Sequence, residues 1–376
     1  MSVPRERPGA ATCDASVVGL KVRLVLPPGS DPHLGDLWDV VGVLRPPSEG
    51  SEALFHEQGL QGTLGASRAV RVADGPAVFA VADDWRTGFS RFTHAQLPPD
   101  SAEWIDSLCF HFGDLSTDDK QDLQLSGMYF LVAASGLHVF VLTGLVMVLA
   151  GALRLPRSVG VLAVVVVLSL YCLASGLHFA TARAAVASLV FLSAYLFGRE
   201  PDSLSAMALA ASAYLLLFPG TVYSMGFQLS VVVIAAVALF LPRRRSAAEG
   251  FKGRITANAL SCAWAAAIFL LAGQPIVALY TGHFGIAEMP ASLLTAFVAP
   301  VAIGLCFVAY AIESVAHVLA AGLLQIALPL TEFLRVTAHS LAGLGLAVEL
   351  PSFSGYWLVP YYALWLLTWR PRAVPA

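Results

Sequence analysis

Residues 128–150 read MYFLVAASGLHVFVLTGLVMVLA, a run with no Asp, Glu, Lys or Arg. An α-helix rises about 1.5 Å per residue, so about 20 apolar residues cross the hydrocarbon of a bilayer. A run of this length and purity predicts a membrane helix. Outward from it, comparable runs occupy 158–177, 182–198, 203–219, 224–241, 256–280 and 291–311, and less regular ones occupy 315–348 and 356–369. That makes nine predicted membrane segments. The run 315–348 is too long for one straight span and holds Pro329, Glu332, Arg335 and His339, which predicts a broken helix or a span plus an interfacial helix. The run 356–369 is short and rich in Tyr356, Trp357, Tyr361, Tyr362, Trp365 and Trp369, as at a membrane interface.

Composition agrees. Of 376 residues, 57% are hydrophobic and 12% charged, against roughly half and a quarter in ordinary globular chains. The fold class read from this is a polytopic α-helical membrane protein preceded by a small β-barrel. The barrel is expected because residues 17–84 alternate short β-type runs with turn residues: VVGLKVRLVL, PPGSDPHLGD, LWDVVGVL, RPPSEG, TLGASRAVRV and AVFAVAD. Around Trp38 the alternation of Trp38, Val40 and Gly42 with Leu37, Asp39 and Val41 fits a strand with two unlike faces. Residues 1–16 are expected to be disordered, 85–125 to form a helical connector at the membrane surface, and 126–376 to form the multi-helix membrane domain.

Net charge is −3, but it is unevenly spread. Residues 1–125 carry ten Lys or Arg against eighteen Asp or Glu, and the remainder twelve against seven. The acidic balance of the first part excludes a basic nucleic-acid clamp of the usual kind. With the N-terminal domain outside, the loops bearing Arg154 and Arg157, Arg199, Arg243 to Arg254, and Arg370 and Arg372 all fall in the cytoplasm, as the positive-inside rule requires, and the C-terminus is cytoplasmic. The start of the chain is not a signal peptide. Export of the domain therefore falls to the first apolar helix or to a membrane segment upstream of this chain. Five cysteines have no metal-type spacing, and Cys13 and Cys109 flank the soluble part and could pair in an oxidising space. No P-loop or other cofactor signature is present.

The segment LCFHFGDLSTDDKQDLQLSGMYFLVAASGLHV contains Leu108, Gly113, Asp114, Ala133, Ser135, Gly136, Leu137, His138 and Val139. Farther on stand Thr181-Ala182-Arg183-Ala184, the run FGREPDSLSAMALAA, and MGFQLS from Met225 to Ser230. Together these resemble, in order and at matching separations, the motifs of the ComEC-type competence family, and GDLWDVVGVLRPP resembles a strand of that family's outer oligonucleotide-binding-type barrel. The resemblance covers roughly residues 36–310. The chain departs from the pattern at Phe130, Ala180 and Ser205, where the family has His, a Ser-type residue and Asn. The family's upstream membrane pair and C-terminal metallo-β-lactamase-like domain are expected to have no counterpart within residues 1–376.

The resemblance implies a multi-pass protein of the bacterial inner membrane that passes single-stranded DNA inward during natural transformation, with a separate cytoplasmic motor and a separate nuclease as partners. Residues expected to line the path or carry its motifs are Ser135, Gly136, His138, Thr181, Arg183, Gly226, Gln228 and Ser230, with Trp38 and Arg183 as candidate DNA contacts. Each has a plainer role in view. His138 can serve helix packing, Arg183 can reach lipid head groups, Gln228 can bond a neighbouring helix, and Trp38, Phe55, Trp85, Phe89 and Phe92 can be core. A Ser135–His138 hydrolase is disfavoured, because no orienting acid or oxyanion arrangement accompanies the pair. The second SGLH, Ser175 to His178, reads as coincidence. A non-conducting membrane scaffold, or a degenerate family member, is the competing expectation.

Overall fold

The computed structural model describes the chain except for residues 1–4, 8–9, 18–19, 28–29, 31, 34, 47–60, 112–114, 133–135, 177–178, 199–201, 218, 241–249, 286, 346, 350–353 and 369–376. Phe55, Gly113, Asp114, Ser135, His178, Arg199, Arg243 to Arg245, Arg370 and Arg372 lie outside the described residues.

Five strands come first: β1 (Arg5–Arg7), β2 (Ala10–Val17), β3 (Leu20–Val25), β4 (Leu37–Arg45) and β5 (Thr63–Ala73). They form one sheet in the order β1-β2-β3-β5-β4, with β3 and β5 parallel and the other pairs antiparallel. β1 and most of β2 fall in the segment expected to be disordered. AATCDASV is only weakly apolar, and its strand character comes from its antiparallel pairing with β3. Cys13, Ala15, Val22, Leu24 and Leu26 make the sheet's small core, and Trp38 and Val40 pack against it. The ladder β4–β5 shifts register at Val41/Gly42, where a Cβ on Gly42 would collide with the Gly65 carbonyl, so the bulge needs glycine.

The stretch AVFAVAD is helix, not strand. It opens α1 (Ala77–Gln96), in which Ala82, Asp83, Arg86, Phe89, Phe92 and Thr93 are buried at helical spacing behind Pro76. A short apolar run is ambiguous on periodicity, and packing decided this one. α2 (Pro99–Phe110) and α3 (Thr117–Leu125) follow. The Ser116 hydroxyl accepts from the Asp119 amide and caps α3. Sheet and α1 are joined by charge. Asp36 takes bonds from Arg71 and from the backbone amides of His33 and Gly75, and His33 reaches Asp83, which pairs with Arg86. Burial alone would raise the Asp36 pKa, but these bonds outweigh it and hold the carboxyl below its usual range.

Each of the nine predicted segments contains a helix: α4 (Gly136–Ala152), α5 (Arg157–Ala174), α6 (Phe179–Leu196), α7 (Ser203–Leu217), α8 (Met225–Phe240), α9 (Gly250–Thr281), α10 (Glu288–Ile312), α11 (His317–Ala342) and α12 (Leu358–Thr368). Among the described residues, four runs are long and apolar enough to cross a membrane: Met128–Ala152, Arg157–Ala174, Pro290–Ile312 and His317–Ala342. Ala180–Ala194, Leu204–Leu217, Met225–Phe240 and Ala267–Tyr280 are shorter apolar helices.

The connector is part of the core. Trp85 and Phe89 of α1, Phe110 of α2, Tyr171 of α5 and Phe307 and Tyr310 of α10 form one aromatic cluster, with Phe89 and Phe110 centroids 5.1 Å apart and Phe110 and Phe307 5.6 Å apart. Cys109 and Cys306 are buried in this cluster and Cys13 in the sheet core, so Cys13 and Cys109 are not joined.

α11 is one helix through Pro329, not a broken one, and it has three faces. Ala320, Leu324, Ala327, Thr331, Leu334 and Ala338 are buried. Val318, Leu319, Ile326, Phe333 and Val336 are exposed. His317, Gln325, Glu332, Arg335 and His339 lie within an arc of about 80° at 3.6 residues per turn. This polar stripe meets α1–α3 along its length: His317 and Gln325 at Gln96, Glu332 at Ser101, Arg335 at Asp119 and His339 at Asp122.

Candidate functional site

Two polar centres lie inside the helical body. The first is built on the end of α2. The last carbonyls of a helix have no partner within it, and here they are capped from other helices. His138 of α4, fully buried, lies with Nε2 2.6 Å from the Leu108 carbonyl, which assigns the proton to Nε2, and the Tyr171 hydroxyl of α5 donates to the Cys109 carbonyl at 2.9 Å. His111, in left-handed conformation at φ 66°, places Nδ1 2.9 Å from the Val132 carbonyl and Nε2 3.3 Å from the Tyr171 oxygen. Its ring stands edge-on to His138 at 4.6 Å, and His138 stacks over Tyr171 at 6.4 Å. The chain thus uses His138 to hold α2 against α4 just before the Gly113–Asp114 motif. Gly136 brings α4 near α6, since a Cβ there would sit 3.6 Å from that of Ala184.

The second centre joins two distant motifs. Arg183 of α6 is 3% exposed, and its Nη2 donates to Ser230 Oγ of α8 at 3.3 Å. Ser230 in turn donates to the Gly226 carbonyl at 2.7 Å. The guanidinium carbon lies 5.7 Å from the Phe227 ring centroid, a cation–π arrangement. A Cβ on Gly226 would lie 3.4 Å from Arg183 Nη2, so the absence of a side chain there gives the guanidinium its place. The Tyr214 phenol of α7 lies within electrostatic range. Among the described residues no carboxylate pairs with Arg183, and its buried Nε has no hydrogen-bond partner. A desolvated cation without a counter-charge is costly, and the environment favours an anion beside it.

Of the residues singled out by sequence, Arg183, Gly226 and Ser230 are brought together, while His138 and Gly136 belong to the first centre. Thr181 is buried with no partner for its hydroxyl among the described residues, two residues from Arg183 and therefore on another face of α6. Gln228 turns back to the Val222 carbonyl at 3.0 Å, away from Arg183. Trp38 is half-buried against the sheet core, and Trp85, Phe89 and Phe92 lie in the helical core. His111, Tyr171, Tyr214 and Phe227 were not singled out. Phe227 stood inside the quoted MGFQLS, but nothing in its spacing announced a cation across the bundle. Among the described residues no group of His, Cys, Asp and Glu is arranged to hold a metal ion.

A family described as Competence protein matches this chain over residues 111–374. ComE operon protein 3 of Bacillus subtilis (strain 168) is 29% identical over 210 residues, which are 54% of this chain and 25% of that protein. This chain therefore aligns with about a quarter of that relative's length. No solved structure matches it.

Proposed function

Because the chain belongs to the competence protein family, we propose that it acts in DNA uptake as the membrane core through which single-stranded DNA passes inward during natural transformation. The observation that carries this reading is Arg183, a buried guanidinium between α6 and α8 with no carboxylate against it among the described residues. A phosphodiester is the anion such a site would meet in a DNA-handling protein, and arginine is suited to it. One cation, not a basic groove, gives a contact that a moving polyanion can leave.

The placement that goes with this is the bacterial inner membrane, sheet domain outside and C-terminus cytoplasmic, in contact with lipid. The strand order β1-β2-β3-β5-β4 with one parallel pair is compatible with a partly open Greek-key barrel of the oligonucleotide-binding type. In this reading that domain guides DNA weakly, given its acidic balance. Driving force and strand degradation are assigned to a separate motor and a separate nuclease. His138 is given no catalytic part, since its Nε2 is committed to the Leu108 carbonyl.

The test is uptake of labelled DNA into a DNase-resistant cytosolic pool. Deletion is expected to abolish it and this chain to restore it. Losing a charge-assisted contact of about 1.5–3 kcal/mol lowers uptake by roughly tenfold to a hundredfold in Arg183→Ala at unchanged membrane abundance, with partial recovery in Arg183→Lys. Normal uptake in Arg183→Ala would remove the residue from the path. Normal uptake on deletion would favour the non-conducting scaffold, the reading to which the acidic first 125 residues also lend weight.

A further inference from the structure

Asp106 lies in the seam between α1 and α2 with its side chain 1% exposed. Its neighbours are hydroxyls and one imidazole: Ser90 Oγ at 2.5 Å from Oδ2, Thr93 Oγ1 at 2.8 Å from Oδ1 and His94 Nδ1 at 3.6 Å from Oδ2. Among the described residues no lysine or arginine pairs with it. Among the described residues the other groups near the seam do not pair a cation with it either. α1 carries Arg91, within electrostatic range of Tyr310, α2 contributes Glu103 and Cys109, α10 brings Cys306 and Tyr310, and α11 brings Glu332, engaged by Ser101, and Arg335, taken by Asp119.

The hydrogen-bond geometry has room for one more proton. Thr93 Oγ1 lies 2.8 Å from Asp106 Oδ1 and 2.9 Å from the Ser90 carbonyl, two acceptors for a single hydroxyl proton. A proton added to Oδ1 donates to Thr93 Oγ1, and the Thr93 hydroxyl rotates to the Ser90 carbonyl, so every oxygen is satisfied with no heavy atom displaced. The site has a solvent-facing side. His94, about a third exposed, holds Nδ1 2.9 Å from the Ser90 carbonyl and 3.6 Å from Asp106 Oδ2, and its Nε2 lies 3.3 Å from Glu103 Oε1, exposed to the same degree.

We propose that Asp106, with Ser90, Thr93, His94 and Glu103, is a proton-binding site that makes the closure of α1 on α2 depend on pH. The ligand is a solvent proton, which bonds to Asp106 Oδ1 on loading and returns to solvent on release. Burial, more than the opposing hydroxyl bonds, pushes the Asp106 carboxyl up to about 6 from 3.8. A carboxyl raised in this way costs stability as pH rises. The loss accrues from the ordinary carboxylate range up to about pH 6 and is complete above it.

The experiment is difference infrared spectroscopy on the purified full chain in detergent, from about pH 4 to about pH 8, with thermal unfolding over the same range. The expected result is a protonated-carboxyl carbonyl band that titrates with a midpoint near pH 6 and is missing in Asp106→Asn. Asp106→Asn should also melt higher than the parent at neutral pH, with the difference fading below about pH 4. No such band, or the same titration surviving in Asp106→Asn, overturns the site. Should Asp106→Asn fail to fold, Thr93→Val decides: a midpoint displaced upward supports the proposal, and an unmoved one overturns it.

Discussion

At the scale of single residues, the chain spends its intramembrane polar groups on each other's backbone. His138 is fully buried and caps the Leu108 carbonyl, an atom with no partner inside α2. His138→Phe keeps an aromatic ring, a somewhat larger one, but removes the donor, leaving a buried carbonyl unpaired. It is expected to lower unfolding stability in detergent by about 1–3 kcal/mol, and Tyr171→Phe should act in the same direction through Cys109. Neither role was legible beforehand. The sequence announces His138 as a polar residue in an apolar helix, which licenses a partner but not which one. Arg183 was legible as the most suggestive charge. Its meeting with Ser230, 47 positions on, was not, because no period links two helices of a bundle.

At the scale of elements, apolar periodicity located every helix from α4 to α12 and missed the start of α1, where six consecutive apolar positions of AVFAVAD satisfy strand and helix templates equally. Proline is the other elementary lesson. Pro275 in α9 has no N–H for the Leu271 carbonyl four residues back. The Tyr361 hydroxyl of α12 donates to that carbonyl at 2.7 Å, and Tyr362 to Ala272 at 2.6 Å. The aromatic cluster of α12, read as an interfacial belt, thus repairs a neighbouring helix as well. Tyr361→Phe should cost about 1 kcal/mol in the parent and markedly less in a Pro275→Ala background, where residue 275 supplies its own donor. Equal costs in both backgrounds would show that the hydroxyl serves something other than the proline.

At the scale of the whole molecule, the connector 85–125, expected at the membrane surface, packs its apolar face against the membrane helices. Composition pointed to the surface because α3 and the C-terminal end of α1 are polar. Those polar atoms face the stripe of α11, while Trp85, Phe89, Trp104 and Phe110 fill the core. Orientation can be tested directly. With the sheet domain outside, single cysteines at Leu155→Cys, between α4 and α5, and at Leu344→Cys, after α11, should react with an impermeant thiol reagent from opposite sides of the membrane. The first should be reached from the cytoplasm. Reaction of both from one side would require an even number of crossings between them instead of an odd one.

The three-faced α11 also bears on how the chain is made. A helix bearing Glu332, Arg335 and His339 partitions poorly into lipid by itself, and the groups that neutralise its stripe, Asp119 and Asp122, were synthesised about two hundred residues earlier. Insertion of the last third must therefore await a surface prepared by the first. Until they meet, a ribosome-bound intermediate holds the acidic α3 and the polar stripe of α11 exposed on either side of an unfinished bundle. Quality-control proteases would act on a mutant in this interval, before any finished bundle existed to fail.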